Sequence, residues 1–185
     1  SLKNNSELME IISTNIGEPV TIEWRGQKLK TGIYKYPVEV PIYLGKEDVA
    51  SDNVIDRRYH GGVDKACYLY SADHYSFWQQ KYPEVLMQWG MFGENLTVKG
   101  LNEAMIRIGD KFKIGTAVVQ VTQPRQPCFK LGIRFENPNI VSDFWSYPYP
   151  GVYVRVLNEG EIRVGDQITR IEKNTESLSV AEVFS

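Results

Sequence analysis

Cysteine and histidine are scarce in this chain, with two of each among 185 residues. No C-x-x-C or H-E-x-x-H spacing joins Cys67, Cys128, His60 and His74, so a zinc centre with four protein ligands is not expected. Two thiols allow at most one internal disulfide, and a chain of this length does not need such a staple, so the expectation is two reduced thiols in a cytoplasmic protein. An excess of one charge sign is missing too. The 21 Lys and Arg against 23 Asp and Glu leave a formal charge of −2, without the polybasic footprint of a nucleic-acid binder or an acidic interaction tail. No stretch approaches the roughly 20 apolar residues of a membrane helix, and Ser1–Asn5 opens without the apolar run of a signal peptide. Neither a nucleic acid nor a membrane is therefore expected as a partner.

What is present suffices for a packed core. Hydrophobic residues make up 42% of the chain and aromatics 12%, enough apolar surface to offset the entropy of ordering the backbone. Gly and Pro recur at short intervals and few windows longer than ten residues hold a helical period, which favours strands. Pro37–Leu44, Cys67–Tyr70, Thr116–Thr122 and Val152–Leu157 read as strands. Ile106–Ile114 and Ile162–Ile171 each read as strand, Gly-Asp turn, strand, with Gly supplying backbone freedom and Asp capping the turn. The expected fold class is mainly β, a closed or nearly closed barrel with short peripheral helices. One helix is expected from Ser71 to about Lys81, capped by Ser71 and ended by Pro83. The Pro-rich Phe135–Pro150 stretch reads as a pocket-flanking loop with one short turn rather than a long helix, and the tail beyond Ile171 as a segment that docks as a short helix or frays.

Chemistry concentrates in three loops. Gln123-Pro124-Arg125-Gln126-Pro127-Cys128-Phe129-Lys130 sets a thiol just beyond the most hydrophobic strand, where two prolines restrict the turn and Arg125 or Lys130 can favour a thiolate or hold an anion beside it. A buried structural thiol is the competing reading of Cys128, whereas Cys67, inside an apolar run, reads as core. Asp56-Arg57-Arg58-Tyr59-His60-Gly61-Gly62-Val63-Asp64-Lys65 combines glycines that expose backbone amides with cations suited to phosphate; a solvated charged loop is the bland alternative. Phe92-Gly93-Glu94-Asn95 adds a carboxyl and an amide that either contact a ligand or bond within a turn. A Cys128–His60 nucleophilic pair is a further alternative.

Taken in order, Thr31-Gly32-Ile33-Tyr34-Lys35-Tyr36-Pro37, His60-Gly61-Gly62-Val63-Asp64-Lys65-Ala66, Phe92-Gly93-Glu94-Asn95-Leu96 and Gln123–Cys128 resemble the MOSC family, named for the molybdenum cofactor sulfurase carboxy-terminal domain, and most of all its small stand-alone YiiM-like branch. The resemblance spans about residues 8–171 as one domain and leaves 172–185 as an extension. It implies a MOSC β-barrel with short peripheral helices and molybdenum cofactor held with Cys128 as the metal ligand. Arg125, Lys35, Arg57, His60, Lys65 and Asn95 would line or bind the cofactor, and Cys128, His60 and Asp64 would be catalytic. The implied activity is reduction of small N-hydroxylated compounds, with electrons from an external flavoprotein because no flavin or iron–sulfur motif is present in the chain. Other family roles are implied as well: sulfur carriage on a Cys128 persulfide, a noncatalytic cofactor-binding module, contact with cofactor maturation proteins, and a loose association with pyridoxal phosphate. Two departures touch the rim of the pocket. The branch's Gly-Leu-x-Gly-Asp stretch is replaced by Gly45–Asp52, and Val63 stands where Pro is common.

Overall fold

Alternation of apolar and polar residues along each strand builds a barrel. The computed structural model describes residues 8–50 and 62–185. Its strands are β1 (Met9–Gly17), β2 (Val20–Trp24), β3 (Gln27–Thr31), β4 (Lys35–Pro37), β5 (Ile42–Leu44), β6 (Cys67–Ser71), β7 (Leu96–Lys99), β8 (Lys111–Ile114), β9 (Ala117–Pro124), β10 (Val152–Asn158), β11 (Gly160–Ile162) and β12 (Gln167–Glu172). The helices are α1 (Tyr75–Lys81), α2 (Phe129–Arg134), α3 (Asn139–Ser146) and α4 (Val180–Phe184). The main sheet runs β12-β8-β9-β10-β6-β7-β1, and pairing of β12 with β1 closes it into a seven-stranded barrel, with β4 continuing along the far end of β1. Closure leaves these seven strands without a free edge. Neighbours pair antiparallel except β6 and β7, whose parallel pairing is made possible by the crossover through α1.

Two apolar layers share the barrel wall. Ile11, Leu96, Val98, Ile114, Val119, Val154 and Ile168 fill the interior. A second, aromatic layer of Tyr68, Tyr70, Trp78, Phe92, Phe135 and Phe144 packs outside it, beneath α1, α2 and α3. All five residues of β6 are buried because the strand separates the layers: Cys67 and Leu69 belong to the interior, Tyr68 and Tyr70 to the aromatic layer. Cys67 is thus a core residue, 1% exposed.

The Gly-Asp segments share one geometry. Gly109 and Gly165 have φ of 92° and 93°, and the following Asp110 and Asp166 accept the Arg107 and Arg163 amides at 2.9 and 2.8 Å. The flanking strands differ from expectation. Ile106–Ile108 forms only an isolated bridge between Arg107 and Ser179, while β11 and β12 pair with β5 and β8 rather than with each other. The expected Pro37–Leu44 strand is split into the end of β4 and β5, because Pro41 lacks the amide a continuous ladder needs. The expected first helix is real but begins as a 3₁₀ turn over Ala72–His74, where the Ser71 hydroxyl accepts the Asp73 amide. The largest correction concerns Phe135–Pro150, which contains the two-turn helix α3. Pro138 flanks its amino end, a position at which proline costs no intrahelical hydrogen bond, and Ile140 and Phe144 lie four residues apart on its buried face. At the carboxyl end, Ser179 and Glu182 form a reciprocal capping box that starts α4, and Val180 enters the barrel core.

Candidate functional site around Cys128

β9 delivers the chemistry to the outer face of the barrel. The strand ends at Pro124, and Arg125–Pro127 lead to Cys128, which flanks the amino end of α2 in an extended conformation and is half-buried. Sequence reasoning read this segment as a restricted turn; the six-residue helix beyond Cys128 carries Leu131 into the aromatic layer and so anchors the turn. Trp24, at the tip of the β2–β3 hairpin, stacks on Phe129 with ring centroids 4.5 Å apart, which fixes the residue after the thiol from the other side.

Arg125 is the central electrostatic feature. It is 4% exposed, and its guanidinium carbon lies 5.2 Å from the Tyr68 ring and 5.1 Å from the Phe144 ring. Its Nη1 is buried with no hydrogen-bond partner among the described residues. Burial opposes its charge, but Tyr68, Tyr153 and a thiolate at Cys128 outweigh burial and hold Arg125 above its ordinary pKa, so the site keeps a fixed positive charge. Burial raises the Tyr153 hydroxyl, Arg125 pulls it down, and a Cys128 thiolate pushes it up, which puts Cys128, Arg125 and Tyr153 within one electrostatic neighbourhood.

Lys65 joins this neighbourhood, with its Nζ 5.6 Å from the centre of the Tyr153 ring. It closes the short 3₁₀ turn Val63–Lys65 that precedes β6. Asp64 in the same turn points elsewhere: its Oδ1 pairs with Arg155 Nη2 at 2.7 Å, and its carbonyl accepts the Thr122 hydroxyl at 2.6 Å. Asn95 is buried behind Tyr68, accepting the Tyr68 amide on Oδ1 at 3.1 Å and donating its own amide to the Tyr68 carbonyl at 2.9 Å. It thereby braces the ring against which Arg125 rests. Lys35 is 7% exposed and its Nζ donates to the Gly32 carbonyl at 3.2 Å, closing its own loop. His60 and Arg57 lie outside the described residues. The structure therefore gathers Cys128, Arg125 and Lys65 around Tyr68 and Tyr153, and sets Asp64, Asn95 and Lys35 into local hydrogen bonding.

Glu94 is fully buried and accepts from the Tyr75 hydroxyl at 2.5 Å, the Thr97 hydroxyl at 3.0 Å and the Phe92 amide at 3.1 Å. Burial raises its carboxyl and these donors pull it back, a turn-stabilising arrangement rather than an open base. Two further groups escaped the sequence reading. Tyr153 sits in an ordinary alternating strand and carries no motif. Glu103, fully buried, accepts the Gly151 amide at 2.9 Å and faces His74 Nε2 at 3.4 Å, while His74 Nδ1 meets the Tyr147 hydroxyl at 2.8 Å. His74 is therefore largely enclosed, with both ring nitrogens facing partners. A cavity of about 860 Å³ lies beyond the other end of α2, lined by Tyr34, Lys81, Arg134, Phe135 and Asp143 among others but not by Cys128. Among the described residues no three His, Cys, Asp or Glu side chains cluster as metal ligands.

The MOSC domain family pattern matches residues 56–169, a stretch that runs from the His60 loop through Arg125 and Cys128 to β12. The chain belongs to the MOSC family. It is 41% identical over 174 residues to the uncharacterized protein YflK of Bacillus subtilis, covering 94% of this chain and 78% of that protein. A protein of Gibberella moniliformis named "Reductase" is 33% identical over 161 residues, covering 85% of this chain but 28% of its own length. Among solved structures, YiiM from Geobacillus stearothermophilus superposes with a TM-score of 0.78 at 36% identity, over 95% of this chain and 82% of that one. This MOSC protein therefore stands with the YiiM-like members of a family associated with molybdenum cofactor binding. Among its described residues no helix is long and apolar enough to cross a membrane.

Proposed function

We propose that this MOSC protein holds molybdenum cofactor through Cys128 and Arg125 and reduces small N-hydroxylated compounds, with electrons delivered by a separate flavoprotein. The observation that carries this reading is Arg125, only 4% exposed, covered by two aromatic rings and left with a buried Nη1 that lacks an acceptor among the described residues, three positions before a half-buried thiol. A protein gains nothing in its free state from such an orphan donor, which costs about 1–3 kcal/mol. An anionic oxygen on a bound ligand would remove that cost. The residues fit the cofactor in kind: a soft thiolate suits molybdenum, and a permanently charged, preorganised guanidinium suits the phosphate of a pterin. When bound, the molybdenum centre would supply two-electron oxygen-atom chemistry that no side chain can perform.

The remaining roles fall to the chain. Cys128 is held in place from one side by Leu131 in the aromatic layer and from the other by the Trp24–Phe129 stack. Arg125, with Lys65 nearby, keeps the site positive and would neutralise an anionic ligand. Asn95 and Pro150, through the Tyr68 backbone and hydroxyl, fix the ring that orients Arg125. The overall change, R–NHOH plus two electrons and two protons giving R–NH₂ and water, needs an outside reductant, and the relative named "Reductase", of which this chain spans 28%, supports redox work for such a unit.

The test is anaerobic turnover of an N-hydroxylated aromatic amine by protein made in a host competent for the cofactor, with a reduced flavoprotein as donor. Amine should form with the wild type and not with Cys128→Ser. Equal rates in the two proteins, or persulfide on Cys128 without turnover, would overturn the reading in favour of uncatalysed reduction or sulfur carriage.

A further inference from the structure

Besides Arg125, Tyr153 presents a polar atom at the site that pairs with none of the described residues. Val152 and Val154 point into the barrel, so alternation along β10 turns Tyr153 to the outer face, where its backbone pairs with Tyr68 on β6 and Gln123 on β9. It thus occupies the middle of the three strands whose ends form the site. The ring is fixed on two sides, 5.1 Å from the Tyr68 ring and 5.6 Å from Lys65 Nζ, and the Thr122 hydroxyl holds its carbonyl at 3.1 Å. The hydroxyls of Tyr68, Tyr70, Tyr75, Tyr82 and Tyr147 are all hydrogen-bonded. That of Tyr153 has no partner among the described residues, although the ring is half-buried and lies in the electrostatic reach of Cys128. A phenol whose ring is held on two sides and whose hydroxyl has no partner among the described residues is built to meet something that arrives there.

We infer that Tyr153 orients the substrate by donating its hydroxyl as a hydrogen bond to the oxygen of the N–O group. The inference rests on the reductase reading and adds to it the residue that distinguishes an N-hydroxylated compound from the parent amine. The oxygen of R–NHOH accepts from the phenol, which fixes the N–O group on the outer face of β10. As that bond breaks, the oxygen departs as water with two protons from solvent and two electrons from the flavoprotein, and Tyr153 is left unchanged.

The experiment compares wild type with Tyr153→Phe, which keeps the ring and its contacts with Tyr68 and Lys65. Binding of N-phenylhydroxylamine and of aniline is measured by calorimetry on both cofactor-free and cofactor-loaded protein, alongside KM and kcat of the loaded form and the melting midpoint of each. The expected result is about tenfold weaker binding and a similar rise in KM for the hydroxylamine, with aniline affinity and melting midpoint unchanged. Equal weakening for both ligands would assign Tyr153 a packing role and overturn the inference, as would no change for either. Wild-type protein that binds hydroxylamine and aniline alike would also overturn it. A wild type that prefers the hydroxylamine through Tyr153 but shows no turnover would instead contradict the reductase reading alone.

Discussion

Replacing Arg125 with Met separates a ligand-binding role from a structural one. The substitution keeps an unbranched, apolar stem while removing the guanidinium. Two ring contacts, to Tyr68 and Phe144 at 5.2 and 5.1 Å, disappear. Each such contact is worth roughly 0.5–2 kcal/mol, so the loss is about 1–4 kcal/mol. Against this, the variant no longer buries a donor without an acceptor at Nη1, a relief of about 1–3 kcal/mol, and no longer desolvates a charge. The two effects nearly cancel, and the unfolding free energy from urea titration should change by no more than about 1 kcal/mol. Ligand binding has no such compensation. Charge-assisted hydrogen bonds to an anion contribute about 1.5–3 kcal/mol, so affinity for a phosphate-bearing pterin should fall roughly ten- to hundredfold. A variant destabilised by more than about 3 kcal/mol with unchanged pterin affinity would refute the reasoning and make Arg125 an internal strut.

The same geometry sets other expectations. Gly151 has φ +77°, and an added Cβ would lie 2.5 Å from the Leu69 carbonyl oxygen and 2.9 Å from the Tyr68 and Tyr70 rings, so Gly151→Ala should cost at least about 2 kcal/mol; an unchanged urea midpoint would contradict this. Burial raises the Glu94 carboxyl above its unfolded value, so the folded state binds that proton more tightly. Its stabilising contribution is complete below about pH 4.3 and is lost as pH rises through the folded value. Wild type should therefore lose stability relative to Glu94→Gln as pH rises above about 4.3 in paired urea titrations, and a relative gain would show that the sign is wrong. Alkylation of native protein should modify Cys128 and spare Cys67, which is 1% exposed in the barrel; mass mapping that finds Cys67 labelled first would refute the placement of the two thiols.

The barrel was readable where local chemistry and environment agree. Ala117–Val121 alternates because one face fills the interior, and the Gly-Asp pairs announce their turns because few other residues combine left-handed φ with a side-chain acceptor. Reading failed where packing overrides local signals. Asn137-Pro138-Asn139 looks like a loop, yet burial of Ile140 and Phe144 against the aromatic layer draws Asn139–Ser146 into a helix. At the site, Cys128 and Arg125 stood out through residue type and the prolines around them. Asn95 was singled out for its polar side chain, which the structure turns to the Tyr68 backbone. Tyr153 gave no signal because an aromatic residue in an alternating strand is ordinary; only the register of β6, β10 and β9 shows that it shares a surface with Tyr68 and the end of β9.

The central claim is that Cys128 and its surroundings hold molybdenum cofactor, and the most direct measurement is the molybdenum and pterin content of protein purified from a cofactor-competent host, wild type beside Cys128→Ser. The wild type should carry both in near-equal amounts and the variant should lose the metal. A wild type free of both, or a variant loaded as fully as the wild type, would contradict the account.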